Sequence, residues 1–173
     1  MKMNKKILIL FSILFLTACV HHNQLVPVKP FAPTNHENQN SLVTELRQQN
    51  VQVIHLGETW RLVLETDYFF QPNKTQLKNQ SVSTMISIAS LIQRVNPVGE
   101  IEVTGYTDNI GGQNQQKVRA KQYANTVAAY LWAQGIPYHK LVIRGAGNRN
   151  KIATNHTSQG KSFNRRVEIT FNN

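Results

Sequence analysis

Cysteine and acidic residues are both scarce in this chain of 173 residues. The one cysteine, Cys19, excludes a framework of disulfide bonds and a metal site built from a cysteine cluster. Nineteen Lys and Arg residues stand against nine Asp and Glu residues, so the formal net charge is +10 and an anionic partner is favoured. Hydrophobic residues make up 40% of the chain, which excludes wholesale disorder and favours one ordinary domain with accessory segments.

Apolar runs long enough to cross a membrane are also missing. The run at 7–16 follows Lys2, Lys5 and Lys6. Ten residues rise about 15 Å as a helix, which is half the hydrocarbon thickness of a bilayer. A basic start followed by a short apolar run predicts a signal peptide over 1–18. Its removal would take away three lysines and leave a formal charge of +7.

The apolar run ends in the sequence LTAC at 16–19. This sequence resembles the bacterial lipobox, in which the cysteine is acylated and becomes the first residue of the mature protein. The resemblance implies that Cys19 is lipidated, and several acyl chains on one residue give stable anchoring. The alternative is an ordinary cleavage site near Ala18. Because Val20 and His21 follow the cysteine, resemblance to enterobacterial sorting rules implies an anchor in the outer membrane, with the protein facing the periplasm.

The segment after the cysteine has no hydrophobic period. Residues 20–40 contain Pro27, Pro30 and Pro33 among Asn, Gln and His residues, which predicts an extended tether. Twenty-one residues reach at most about 70 Å. We therefore divide the chain into the signal peptide 1–18, a lipidated tether 19–40 and a folded domain 41–173.

Alternation and helical spacing predict the elements of the folded domain. A short helix at 42–49, with Ser41 as its cap, precedes a β-hairpin that turns at Gly57. Two long helices and three further strands follow, with a polar loop at 145–163. Their predicted bounds are 51–56 and 59–65 for the hairpin, 75–95 and 113–134 for the helices, and 100–106, 141–143 and 166–171 for the strands. This order predicts an α+β fold, a small mixed β-sheet covered on one face by two long helices, with an added N-terminal hairpin.

Four short motifs occur in a fixed order along the domain. They are FFQPN at 69–73 with Leu77, VTGYTD at 103–108 with Gly111, RGAG at 144–147, and NRRVEI at 164–169. Together they resemble the OmpA C-terminal-like, peptidoglycan-binding domain, over about two-thirds of the chain. The resemblance assigns Gly105, Thr107, Gly111 and Asn164 to the structural motif, and Asn164 is expected to bind loop backbone groups. Phe69 and Phe70 are expected in the core.

The resemblance implies non-covalent binding of the peptidoglycan stem peptide through diaminopimelate, with no cofactor and no metal. The end of that side chain is zwitterionic, so a site for it needs an anion for the ammonium and a cation or N–H donors for the carboxylate. Asp108, between a strand and a glycine turn, is implied to contact the ammonium. The alternative is that Asp108 only caps the turn or the following helix.

Four further residues are candidates for the ligand site, two that match the family pattern and two at a position where the chain departs from it. Arg165 is implied to orient Asp108 or to meet the ligand carboxylate, or to form a purely structural ion pair. Asn73 lies in the loop whose backbone amides approach the ligand. Tyr123 stands where the family has a second arginine, and Arg119, one helical turn earlier, is either a substitute for that arginine or a solvated surface residue.

Other functions are weighed against these patterns. The segment 67–75 and the short tether are similar to the small lipoprotein of Dot/Icm type IVB secretion systems, so a structural subunit of an envelope-spanning complex, with other secretion-system or envelope proteins as partners, is the second hypothesis. An enzyme is not expected, because the cysteine is assigned to lipidation and His55, His139 and His156 are isolated. Nucleic-acid binding is not expected either, because only the charge favours it.

Overall fold

The computed structural model describes residues 37–173. The predicted signal peptide, Cys19 and most of the predicted tether lie outside the described residues. The helices are α1 (Glu37–Gln48), α2 (Thr66–Phe69), α3 (Ser81–Val95), α4 (Gln113–Ala133) and α5 (Ser158–Asn164), with a 3-10 turn at Tyr138–Lys140. The strands are β1 (Gln52–Leu56), β2 (Thr59–Glu65), β3 (Val98–Tyr106), β4 (Leu141–Gly147) and β5 (Arg166–Asn172).

The strands form one five-stranded sheet in the order β1-β2-β5-β3-β4. The predicted hairpin is confirmed, since β1 and β2 pair antiparallel from Gln52↔Val63 to Leu56↔Thr59. Strand β2 pairs antiparallel with β5, and β5 with β3, whereas β3 and β4 are parallel. The sheet is therefore mixed, and the last two strands of the sequence are separated in space by β3. The predicted α+β class is confirmed.

Alternation along the strands directs one set of side chains into the core beneath α1, α3 and α4. Strand β2 contributes Trp60, Leu62 and Leu64, and the other strands and helices fill the same cluster. The opposite face of the sheet carries polar side chains such as Thr104 and Glu168. Phe69 and Phe70 are buried in the core, as predicted.

Two glycines let α4 approach the sheet closely. A Cβ at Gly105 of β3 would lie 1.9 Å from the carbonyl oxygen of Ala120, and one at Gly145 of β4 would lie 2.5 Å from that of Lys117. Neither distance is compatible with a side chain, so these positions fix the height of α4 above β3 and β4. The N-terminal half of α4 is thereby held beside the end of β3.

Some helix bounds differ from those predicted. Helix α1 begins at Glu37, so Ser41 lies inside the helix and not at its cap, and the predicted start at 42 is wrong. The helix predicted from 75 begins at Ser81, because the preceding segment is held by other contacts. Phe70 and Leu77 form an isolated β-bridge, and the hydroxyl of Thr126 donates to the carbonyl of Thr75 at 2.7 Å. At the other end, left-handed Asn96 ends α3 before Pro97.

The predicted polar loop at 145–163 also contains ordered elements. Strand β4 continues to Gly147, where φ is +64°. Helix α5 follows within the same segment and is capped by Thr157, whose hydroxyl accepts the N–H of Gly160 at 3.0 Å. The loop interpretation was therefore wrong at both ends.

Candidate ligand-binding site

A cavity of about 450 Å³ lies beside the carboxyl end of β3, between the segment after β2 and the N-terminal half of α4. All five residues predicted to bind ligand line it. They are Asn73, Asp108, Arg119, Tyr123 and Arg165. The cavity is also lined by Asp67, to which the sequence analysis gave no role.

Asp108 lies in the wall of the cavity and is only 4% exposed. Its Oδ1 accepts the N–H of Ile110 at 3.0 Å, which closes the turn after β3. Its Oδ2 accepts Nη1 of Arg165 at 2.6 Å. The turn-capping contact and the ion pair therefore occur together, and each oxygen keeps one further lone pair for a ligand.

Asp67 forms the second carboxylate of the cavity. Nε of Arg165 donates to its Oδ1 at 2.9 Å and Nη2 of the same guanidinium donates to its Oδ2, so this pair is bidentate. The hydroxyl of Ser162 also donates to Oδ2, at 2.9 Å. Hydrogen bonding from Arg165 is the main cause that holds the pKa of Asp67 below its usual value of 3.8.

Arg165 thus stands between two carboxylates. Its pKa is raised, first by the hydrogen bonds to Asp67 and then, against the opposing effect of burial, by those to Asp108. Two anions and one cation leave this cluster with a net charge of −1. The side chain of Asp67 is 46% exposed, so this carboxylate is accessible from the open side of the cavity, with Nζ of Lys78 donating to its backbone carbonyl at 2.9 Å.

Tyr123 and Phe70 form an aromatic wall at the position where the resemblance implies a second arginine. Tyr123 is 9% exposed, and its ring meets Phe70 edge to face at 4.8 Å between centroids. Burial is the main cause that raises the pKa of the Tyr123 phenol, so the hydroxyl is neutral at pH 7. Arg119 is exposed at the rim of the cavity, one turn earlier on α4.

Asn73 also lies on the rim and is exposed. Its φ of +57° is left-handed, a conformation that Asn tolerates better than most residues. The turn around it connects the buried Phe70 to Leu77, and therefore places the backbone of 71–73 at the cavity mouth.

The predicted structural residues surround the site without forming its charged part. Thr107 donates its N–H to the carbonyl of Gly147 at 2.9 Å, and Gly111 turns the chain with a φ of +87°. Asn164 accepts the N–H groups of Ile152 and Ala153 at 3.0 and 3.1 Å. The prediction that Asn164 binds loop backbone groups is therefore confirmed.

Asp67 is the one charged residue of the site that sequence reasoning missed. Its position just before the two core phenylalanines was the available signal, because anchored aromatics fix the direction of a neighbouring polar side chain. Within residues 37–173, no group of three His, Asp or Glu side chains is placed to hold a metal ion. In the same part of the chain, no helix has the length and apolar character needed to cross a bilayer.

The model of the OmpA family matches residues 69–165. The chain is 32% identical over 126 residues to the probable lipoprotein YiaD of Escherichia coli, which covers 73% of this chain and 57% of YiaD. It is 40% identical over 76 residues to the peptidoglycan-binding protein ArfA of Mycobacterium tuberculosis, which covers 44% of this chain and 23% of ArfA. It therefore spans little more than half of the first relative and about a quarter of the second.

The fold is also similar to that of a solved structure, the cell wall anchor of the T6SS from Pseudomonas aeruginosa. The TM-score is 0.68 at 22% sequence identity, and the match covers 78% of this chain and 96% of that one. At this identity the likeness concerns the fold.

Proposed function

The chain belongs to the OmpA family, and from this premise we propose that it binds peptidoglycan non-covalently, through the diaminopimelate of the stem peptide. Its place in the cell would be the outer membrane, held by lipid on Cys19, with the folded domain in the periplasm. The observation that carries the proposal is the open, net-negative cluster of Asp67, Asp108 and Arg165 at the cavity.

The charges of the cavity suit a zwitterionic ligand. An ammonium group finds the exposed carboxylate of Asp67 and the remaining lone pairs of Asp108. A carboxylate on the same carbon finds Arg119 at the rim and the backbone N–H of Asn73 across the mouth, since the N–H of Gln71 is bonded to the carbonyl of Gln76 and Pro72 has none. None of these contacts calls for a catalytic group, and the proposal is a binding function.

The lipid anchor rests on the lipobox resemblance at 16–19 and on the relative YiaD, which is named a probable lipoprotein. Peptidoglycan as the partner gains support from ArfA, which is named for binding it. An anchored chain with such a domain would connect the membrane to the wall.

A second candidate function is a structural subunit of a type IVB secretion core complex in which peptidoglycan binding is weakened or lost. One observation favours its weakened binding: the buried wall of the cavity is formed by Tyr123 and Phe70, and the further cation of the cavity lining, Arg119, is on the exposed rim. A phenol donates a single hydrogen bond, whereas a buried guanidinium would donate two to a carboxylate.

The test is calorimetric titration of the full chain with a muropeptide that contains diaminopimelate. Asp108→Asn should weaken binding at least about tenfold, because the acceptor charge for the ammonium is lost. Glu58→Gln, which removes a carboxylate in the exposed hairpin turn, is the matched control and should leave affinity unchanged. Equal affinity of Asp108→Asn and the unsubstituted chain, with both folded by circular dichroism, would refute the proposed site.

Tyr123→Arg separates the two candidates in the same titration. If the unsubstituted chain binds measurably and the variant binds with the same affinity, the existing groups suffice and wall binding stands. A large gain of affinity from an undetectable level would instead show that the site has decayed, which the second candidate requires and the first does not allow.

A further inference from the structure

A group of basic side chains lies on the other flank of α4, away from the ligand-binding cavity. A cleft of about 630 Å³ runs along strand β4, the last strand of the sheet. Four of the cations that line it come from two elements and one loop: Lys117 and Lys121 on α4, Arg144 on β4, and Arg149 after β4. Glu102 is the one acid in its lining.

These cations have few partners of their own. Arg144 reaches Glu102 at 3.5 Å, and both side chains remain largely exposed. Within the part of the chain that the structure describes, Lys117, Lys121 and Arg149 form no ion pair. The cleft therefore concentrates positive charge that the fold does not neutralise, in contrast to the Arg165 cluster.

The backbone of β4 places these cations on both sides of a free strand edge. Gly145 faces α4 so closely that the backbone of Lys117 and Lys121 rests on the strand. Its neighbour Arg144 points to the opposite face, where it pairs with Glu102. Since β4 is bonded to β3 on one side and no described strand lies beyond it, its outer edge offers unpaired N–H and C=O groups.

We propose that the β4 edge and its flanking cations form a docking site for an acidic, extended segment of a partner protein. Such a segment adds a sixth strand through backbone hydrogen bonds. Because successive side chains of a strand point to opposite faces, two adjacent acids would meet Lys117 and Lys121 on one face and Arg144 and Arg149 on the other.

Protection of an exposed edge is the other reason for lysines beside a strand. The opposite edge of the sheet argues against it here. Strand β1 carries exposed Ile54 and Leu56 and no cation of its own, and it is Arg47 of α1 that donates to the carbonyl of Val53 at 3.2 Å. The edge at β1 therefore exposes apolar side chains and has no lysine, whereas Lys117 and Lys121 lie beside β4.

The experiment measures fluorescence anisotropy of labelled heptapeptides with the full chain. The probe is Thr-Glu-Glu-Val-Glu-Glu-Thr, which matches the seven residues of β4. One comparison peptide replaces each Glu by Gln, and a second keeps the acids but carries N-methyl groups at every internal residue, which removes the N–H donors from both edges of the peptide and prevents strand pairing. We expect saturable binding of the probe and a loss of at least about tenfold for each comparison peptide. Equal binding of the N-methylated peptide would overturn strand addition.

Protein variants locate the contact. Lys117→Gln/Lys121→Gln should weaken probe binding at least about tenfold. Arg61→Gln/Lys74→Gln makes the same change in net charge away from β4 and should leave it unchanged. Equal losses in both double variants would mean diffuse attraction and would overturn the site.

Two further measurements separate the β4 edge from a lipid-binding surface and from the ligand-binding cavity. Vesicles of phosphatidylglycerol test a lipid surface, and binding of vesicles through Lys117 and Lys121 without binding of the probe would overturn the proposal. Lys117→Gln/Lys121→Gln should retain muropeptide affinity, and Asp108→Asn should retain probe affinity. Failure of one function therefore leaves the other independently testable.

Discussion

Arg165 and Arg166 are consecutive in the chain but belong to two different regions of the molecule. Arg165 faces the cavity, is 28% exposed as a side chain and joins two carboxylates. Arg166 starts β5 on the opposite face of the sheet and is 2% exposed, bonded to Glu168 at 2.7 Å and stacked on the Tyr106 ring at 3.9 Å. The guanidinium of Arg165 is accessible to a ligand, whereas that of Arg166 is buried and bonded to other groups of the fold.

The number of hydrogen-bond acceptors around an arginine does not by itself show whether that arginine is available to a ligand. Arg166 also donates to the carbonyls of Asn150 and Asn164, so it has as many acceptors as Arg165. What differs is access: the cavity leaves one carboxylate of the Arg165 cluster in contact with solvent. Substitutions at the two positions should therefore separate stability from binding.

The largest effect is expected for Arg166→Met. Removal of this cation leaves the buried carbonyl acceptors without their donor, and Glu168 loses its nearest cation. The free energy of unfolding should therefore fall by about 3–5 kcal/mol. Urea denaturation followed by circular dichroism measures it. Arg61→Met is the control, because Arg61 lies 3.8 Å from the same Glu168 but is half exposed, and its loss should stay below about 1 kcal/mol. Similar losses for both variants would remove the distinction between the two regions.

Arg165→Met should have an intermediate effect on stability and a large one on binding. Asp108 loses its cation but keeps the N–H of Ile110, so we expect a loss of about 1–3 kcal/mol. Muropeptide affinity should fall at least about tenfold, since the carboxylates lose the group that positions them.

The double variant Arg165→Met/Asp108→Asn sharpens this expectation. Neutralising the stranded carboxylate should return part of the lost stability, with a coupling energy of about 0.5–3 kcal/mol, while binding stays lost. If stability and binding recover together, Arg165 acts only as a structural counter-ion.

The smallest effect is expected for Asp67→Asn. Because this ion pair is partly exposed, its loss should cost about 0.5–1 kcal/mol at pH 7 and less at high salt. The pKa of Asp67 in the folded protein lies below 3.8, its ordinary value. The stabilisation that the ion pair gives is therefore complete above pH 3.8 and is lost as the pH falls through the pKa of the folded protein. Urea denaturation at several pH values should show the two chains converging in strongly acidic solution. Glu58→Gln serves as the control, and a difference that persists at the lowest pH would contradict the pairing.

Local patterns were sufficient to predict most of the fold. The alternation of Trp60, Leu62 and Leu64 specifies a half-buried strand, and the spacing of Ala120, Ala124 and Val127 specifies the inward face of α4. Helix α5 was missed because its seven residues, six of them polar or small, carry no hydrophobic period. Its order comes from the Thr157 cap and from the contacts of Asn164, which are tertiary.

The residues of the candidate site also fall into those that local sequence predicts and those that depend on tertiary contacts. The turn that places Asp108 is predicted by a contiguous sequence motif. The pairing of Arg165 with Asp67, in contrast, joins residues 98 positions apart and follows from strand pairing. Alternation with Val167 places Arg165 and Arg166 on opposite faces, but nothing local shows which of the two is buried. The packing of Tyr123 on Phe70 likewise depends on how α4 lies over the segment after β2.

The register of β2 against β5 limits how the length of the chain can change. Glu65 pairs with Arg166, and just beyond this pair the N–H of Thr66 donates to the carbonyl of Arg165 at 2.8 Å. Since side chains alternate, an insertion or deletion of one residue at the start of β5 would exchange the two arginines between the faces and turn Val167 out of the core. Homologous chains should therefore vary in length at the hairpin turn near Gly57 and keep this junction constant.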